Sequence, residues 1–108
     1  MRLTTDVWVS AYLTRLRLVD IPAFVVRKGD VTAGAVLVKL NPLDGRAVAY
    51  QRSVDLMSGD RRWIVLTEGE EPEVDAALAR QARFDPDVWI IEVEDRAGRH
   101  LLDEPGLE

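Results

Sequence analysis

The sequence predicts an α+β fold. It reads as a mainly antiparallel five-stranded sheet, order α-β-β-β-β-α-β, with both helices on one face. Three observations carry this. Residues 22–52 hold three apolar runs divided by Gly29-Asp30 and by the five residues from Asn41 to Gly45, which is the turn chemistry of an antiparallel meander. Residues 7–17 and 74–82 each gather apolar side chains at helical spacing on one side, as a helix covering a core does. Residues 87–95 place Trp89, Ile91 and Val93 in alternation with Val88, Ile90, Glu92 and Glu94, which is a strand period.

Thr4, Thr5 and Asp6 supply N-cap candidates for the first helix. Trp8, Val9, Tyr12, Leu13 and Leu16 form its apolar stripe, and Pro22 stops it by disfavouring helical geometry at Ile21. The meander follows, with strands over about 23–28, 34–40 and 46–52. A connection over 53–60, with a short helical turn at 55–57, leads to a fourth strand over 61–67. Glutamates at 68–73 and Pro72 open the second helix. Val74, Ala77, Leu78, Gln81 and Ala82 line its inner side, and Asp85-Pro86 ends it. The fifth strand is followed by a turn at 96–99, a brief edge strand at 100–102, and a tail that frays from about residue 103.

All 108 residues fit one domain, residues 1–108, with 47% hydrophobic and 31% charged residues and enough chain to bury a core. There is no cysteine, which excludes disulfides, thiolate metal sites and a cysteine nucleophile. No apolar run approaches the roughly 18 residues of a membrane span, and no signal peptide is legible, so the expected location is the cytoplasm. The net charge is −5, divided unevenly: residues 1–52 carry +4 and residues 53–108 carry −9. An acidic total argues against general nucleic-acid affinity.

No motif carries chemistry. Gly29 to Gly34 is a candidate anion cradle beside Arg27 and Lys28, but a strand rather than a helix follows Gly34, so the phosphate-loop reading fails and a hairpin turn closed by Asp30 and Thr32 is the better account. Glu92 and Glu94 share a strand face without the pattern of a calcium loop. His100 is the single histidine, and no serine sits in a nucleophile elbow. Neither a catalytic residue, nor a metal site, nor a cofactor is expected, and the balance points away from an enzyme. Arg61, Arg62 and Trp63 mix basic and aromatic residues without the motifs of an RNA-recognition sheet.

The sheet face away from the helices carries the main interest. It reads as Val25, Leu37, Ala49, Leu66 and Ile90, ringed by Arg27, Lys39, Gln51 and Glu92. A fully wet face is polar, and an apolar patch of this kind marks an interface or a surface covered by the chain's own tail or 53–60 connection.

Four stretches resemble a known family: R-L-x-x-x-V-W-V-x-A-Y-L-x-R from Arg2, V-V-R-K-G-D-V-T-A-G-A-V-L-V-K from Val25, N-x-L-D-G from Asn41, and D-P-D-V-W-I-I-E-V-E-D-R-x-G-R-H-L-L-D-E from Asp85. Together they are similar to small bacterial proteins grouped as a domain of unknown function. The resemblance spans nearly the whole chain and implies one intact domain; it brings no substrate, cofactor or catalytic residue.

Two functions follow from the residues themselves. The first is a non-enzymatic interaction module that forms a homodimer, or binds a protein partner, through Val25, Leu37, Ala49, Leu66 and Ile90 or through a sheet edge. The alternative is a small-ligand or anion site at the first hairpin, built from Arg27, Lys28, Asp30, Thr32 and Lys39, with Arg52 as a further candidate. Nucleic-acid binding ranks last.

Overall fold

A computed structural model describes residues 3–108. The elements are α1 (Thr5–Leu18), β1 (Ala23–Arg27), β2 (Val36–Asn41), β3 (Arg46–Val54), β4 (Arg61–Glu70), α2 (Glu71–Phe84) and β5 (Trp89–Glu94). They form the expected α+β fold, with five strands in one mostly antiparallel sheet.

Helix α1 starts and stops by local chemistry. Thr4 has the extended backbone of an N-cap, but its hydroxyl donates to the Asp6 carboxylate at 2.6 Å. The orphan N–H groups of Thr5 and Asp6 donate instead to the carbonyls of Thr32 and Val31, so a distant loop does the capping. At the other end Asp20 takes a left-handed conformation, φ 61°. Its N–H donates to the Arg17 carbonyl, and the Ile21 N–H reaches back to Leu16. This is a Schellman ending with aspartate in the place glycine usually takes, and the accompanying apolar contact is between Leu16 and Ile21, both buried.

The spatial strand order is β1-β5-β2-β3-β4. Strand β5 enters between β1 and β2, antiparallel to the first and parallel to the second. The expected meander over residues 22–52 is therefore corrected: β2 and β3 form a hairpin, but β1 and β2 never pair, and no first hairpin exists. The reason lies in the central strands. Every residue of β2 is buried, and so are Trp89, Ile90, Ile91 and Val93 of β5. Strands apolar on both faces belong in the middle of a sheet covered on both sides.

The two helices consequently lie on opposite faces, not on one. Helix α1 packs Trp8, Val9, Tyr12 and Leu16 against Val36, Val38, Leu40, Trp89, Ile91 and Val93. Helix α2 packs Val74 and Leu78 against Leu37, Ala47, Ala49, Val88 and Ile90. Strands β4 and β5 run in the same direction, so α2 is the helix of a parallel crossover.

The segment from 28 to 35 is a wrap around the turn before β5. Asp30 N–H donates to Asp87 O, Trp89 N–H to Ala35 O, and Trp89 Nε1 to Asp30 O at 2.8 Å. A Cβ on Gly29 would fall on the Asp87 carbonyl and lie 2.7 Å from Trp89 Cδ1. The glycine is there for close backbone approach rather than for an anion.

Nor does the chain fray after residue 103. Residues 100–102 form no strand, but Leu102 and Leu107 are buried in the α1-side core. The segment is tied by Tyr12 OH to His100 O at 2.7 Å, Arg15 Nη1 to Pro105 O at 2.8 Å, and Trp63 Nε1 to Leu107 O at 2.7 Å. Residues 55–60 make the tip of the β3–β4 hairpin, held by the Asp55 carboxylate, which accepts from Met57 and Ser58 N–H.

Candidate functional site

The residues expected to form a ligand site are dispersed. Arg27 donates through Nη1 to Pro86 O and Val88 O, each at 3.0 Å, and so pins the start of β5. Asp30 accepts from the N–H groups of Thr32 and Ala33 and closes its own loop. Lys28 is exposed. Lys39 lies deep in the sheet, on the side that faces α2. These groups do not converge, and Arg27 and Asp30 have structural tasks.

Among the described residues Lys39 is the most buried charge, with a side-chain exposure of 5%. Its Nζ contacts Glu71 and Asp75 of α2 at 2.7 Å each, and Glu92 of β5 at 3.2 Å. The Asn41 amide donates to Glu71 and Glu92 as well. Burial pushes the ammonium pKa down, but hydrogen bonds to Asp75, Glu71 and Glu92 outweigh it and hold the pKa above its usual value. Such a lysine stays charged at any physiological pH and cannot serve as a nucleophile or base. It fastens the first turns of α2 to the sheet.

The five expected interface residues also separate. Leu37, Ala49 and Ile90 are buried beneath α2, and Leu66 packs at the margin of the same cluster. The apolar outer face is real, but α2 covers it. Val25 alone stands open, 38% exposed, and it lies on β1. Register explains its different fate. Ala23 and Val25 pair with Val93 and Ile91, so both belong to the α1 side, one residue out of step with the sequence reading.

That leaves the edge of β1 as the open apolar surface. Among the described residues the strand pairs with β5 on one side and with nothing on the other. Phe24 is 45% exposed and Val26 is 54% exposed. No charge interrupts Ala23 to Val26. Leu18 and Val19, at the end of α1, are exposed beside it. The opposite edge, β4, is different. Arg61, Arg62, Glu68 and Glu70 stud it, which are the usual guards against edge pairing; a register shift occurs in both edge strands, near Leu66 in β4 and near Val26 in β1.

The basic-aromatic stretch is no stacking platform. The Trp63 indole is 5.5 Å from Trp8, donates to Leu107 O, and is covered by the Arg52 guanidinium. Arg52 shares the sheet face of Tyr50 in β3. A charge at an inward position of a strand is a signal that sequence reasoning registered only as a minor addition to the hairpin site.

His100 is half-buried, its ring 4.7 Å from Tyr50. Its Nδ1 accepts from the Leu102 N–H at 3.0 Å, so it is unprotonated in the fold. Burial lowers its pKa below 6.5, against a smaller opposing effect of Asp103. A depressed histidine binds protons more readily in the unfolded chain, so its contribution is complete above the unfolded value and is lost as pH falls through the folded one. Thermal melts from pH 7.5 to 5 are expected to show stability declining below about pH 6.5, with a shallower decline in His100→Gln. Equal slopes in the two proteins would show that His100 is not the group.

Among the described residues no helix is long and apolar enough to cross a membrane. A family model described as "Protein of unknown function (DUF1491)" matches residues 3–103. No curated protein matches the chain significantly. Among solved structures, the chain is similar to a DUF1491 family protein from Caulobacter crescentus, seen in a crystal structure at 44% identity. The match covers 97% of both chains with a TM-score of 0.83. An NMR structure of a DUF1491 family protein from the same organism matches at 45% identity, covering 97% of this chain and 96% of that one, also with a TM-score of 0.83. A solution structure of a protein from A. tumefaciens matches at 32% identity, covering 87% and 86%, with a TM-score of 0.73.

Proposed function

Because the chain belongs to the DUF1491 family, whose description assigns no activity, we propose a function from the surface itself: a non-enzymatic interaction module that self-associates through β1. The single observation that supports this reading is an edge strand that is apolar and exposed from Phe24 to Val26, with its one charge, Arg27, turned onto the carbonyls of Pro86 and Val88, on a sheet whose other edge carries four charges. An edge of that kind is a template for another strand. A second copy suits it because the ends are complementary: Asp20 precedes the strand and Lys28 follows it. Antiparallel pairing about a two-fold axis brings each lysine toward the other copy's aspartate, while Phe24, Val25 and Val26 meet in the middle. Leu56 and Met57 on the β3–β4 tip are also exposed, but they sit between Asp55 and Asp60 and offer no strand edge.

Phe24→Lys tests the reading. Phe24 lies midway between Asp20 and Lys28, so a charge placed there opposes its own copy across the axis, and like-charge juxtaposition costs several kcal/mol. The dimer is expected to weaken by at least about 100-fold in sedimentation velocity, with the melting temperature of the monomer nearly unchanged. Sedimentation identical to that of the unaltered protein would remove β1 from the interface.

A further inference from the structure

The surroundings of Arg52 point to a second site, independent of the β1 edge. The guanidinium carbon lies 5.0 Å from the Trp8 ring centroid and 4.7 Å from that of Trp63. Two aromatic rings thus fix its position. Its Nε and Nη2 are buried and hydrogen-bonded to nothing, and the Trp8 indole Nε1 is a third buried donor without a partner. Nε and Nη2 form one side of the guanidinium, the side whose two N–H bonds run parallel and match a planar oxyanion. Among the described residues no carboxylate makes an ion pair with Arg52. Burial and, to a lesser extent, the Arg61 charge lower its pKa to about 10, against an opposing effect of Glu108. A structural arginine is normally paired when its donors are shut away from water; this one is held in place and left unpaired.

A cleft of about 1300 Å³ opens beside it, at the end of the sheet where β2 begins, with Trp8, Thr32, Arg52, Arg61 and Glu108 in its walls. We propose that this cleft binds a small ligand through one oxyanion, a carboxylate or a phosphate, received on the Nε–Nη2 side of Arg52 with the Trp8 indole N–H next to it. Glu108 is exposed and lies just beyond Leu107, the last anchored residue. The ligand's anion takes over from Glu108 in the field of Arg52. Asp60 and Asp85 also line the cleft, so the rest of the ligand is neutral or cationic, and a polyanion such as nucleic acid is repelled.

The test follows the Trp8 indole and Arg52 Nε–H signals in proton–nitrogen correlation spectra. The protein is titrated through the millimolar range with acetate in one arm and inorganic phosphate in the other, at constant ionic strength. At least one anion is expected to move both signals along a saturating curve, and the tighter midpoint identifies carboxylate or phosphate as the recognised group. Arg52→Met, which keeps an apolar chain between the rings, is expected to abolish the saturable shift at Trp8. Arg52→Lys keeps the charge without the paired donors and is expected to raise the midpoint at least about tenfold. A linear drift with both anions in the unaltered protein, or an unchanged midpoint in Arg52→Lys, overturns the proposal.

Discussion

Lys39→Ala is expected to destabilise the protein by about 3–5 kcal/mol, the range for stripping one partner from a buried ion cluster. The side chain is almost wholly enclosed, and its removal leaves Glu71, Asp75 and Glu92 facing one another around a void. Asp75 can turn toward water, since its side chain is 53% exposed. Glu92 has no such exit at 14%. A drop of this size is a large share of the roughly 5–15 kcal/mol that holds a domain together. Urea denaturation measures it directly. Combining Lys39→Ala with Glu92→Gln is expected to recover part of the loss, because the second change removes the most trapped charge. Strictly additive losses would mean that the four groups do not act as a cluster.

Leu107→Ala is expected to cost about 2–4 kcal/mol, as for other fully buried leucines. The residue is 1% exposed and packs with Leu102 into the core beneath α1. Its carbonyl also accepts the Trp63 indole proton, a bond that the substitution retains, so the loss reports side-chain packing alone. A change under about 0.5 kcal/mol, the scale of a surface substitution, would mean that the segment frays in solution.

These two residues also show what the sequence discloses and what it conceals. The succession of elements was legible, because turn residues and apolar periods are local. The alternation of β2, β3 and β5 was read correctly as well. In Val36–Leu40 the run V-L-V-K-L already hinted at burial on both faces, and hence at two covering helices on opposite sides. The insertion of β5 between β1 and β2 was not legible, since it joins residues some 60 positions apart with no local mark. Strand β1 slipped register because A-F-V-V offers four apolar residues and no alternation.

The ligand candidates at the expected hairpin failed for a related reason. Arg27 looked available only because its partners, the carbonyls of Pro86 and Val88, were invisible in one dimension, whereas the local turn that Asp30 closes was legible. Lys39 stood out as a charge in an apolar strand, but the three carboxylates that hold it lie 32 to 53 residues away in the chain. The tail misled through composition. Asp103, Glu104, Pro105 and Gly106 read as a frayed end, yet Leu101, Leu102 and Leu107 were the apolar signal that it packs.

The expected patch on the sheet was correct in its apolar character, and α2 turns out to be its cover. What survives is Val25 and the strand that bears it. The central claim, that two copies join through the β1 edge, is tested most directly by molar mass from light scattering across a concentration series from micromolar to millimolar. The mass is expected to rise from 12.1 kDa toward twice that value and to stop there, as a closed two-fold contact requires. A mass that stays at the monomer value throughout the series would contradict it.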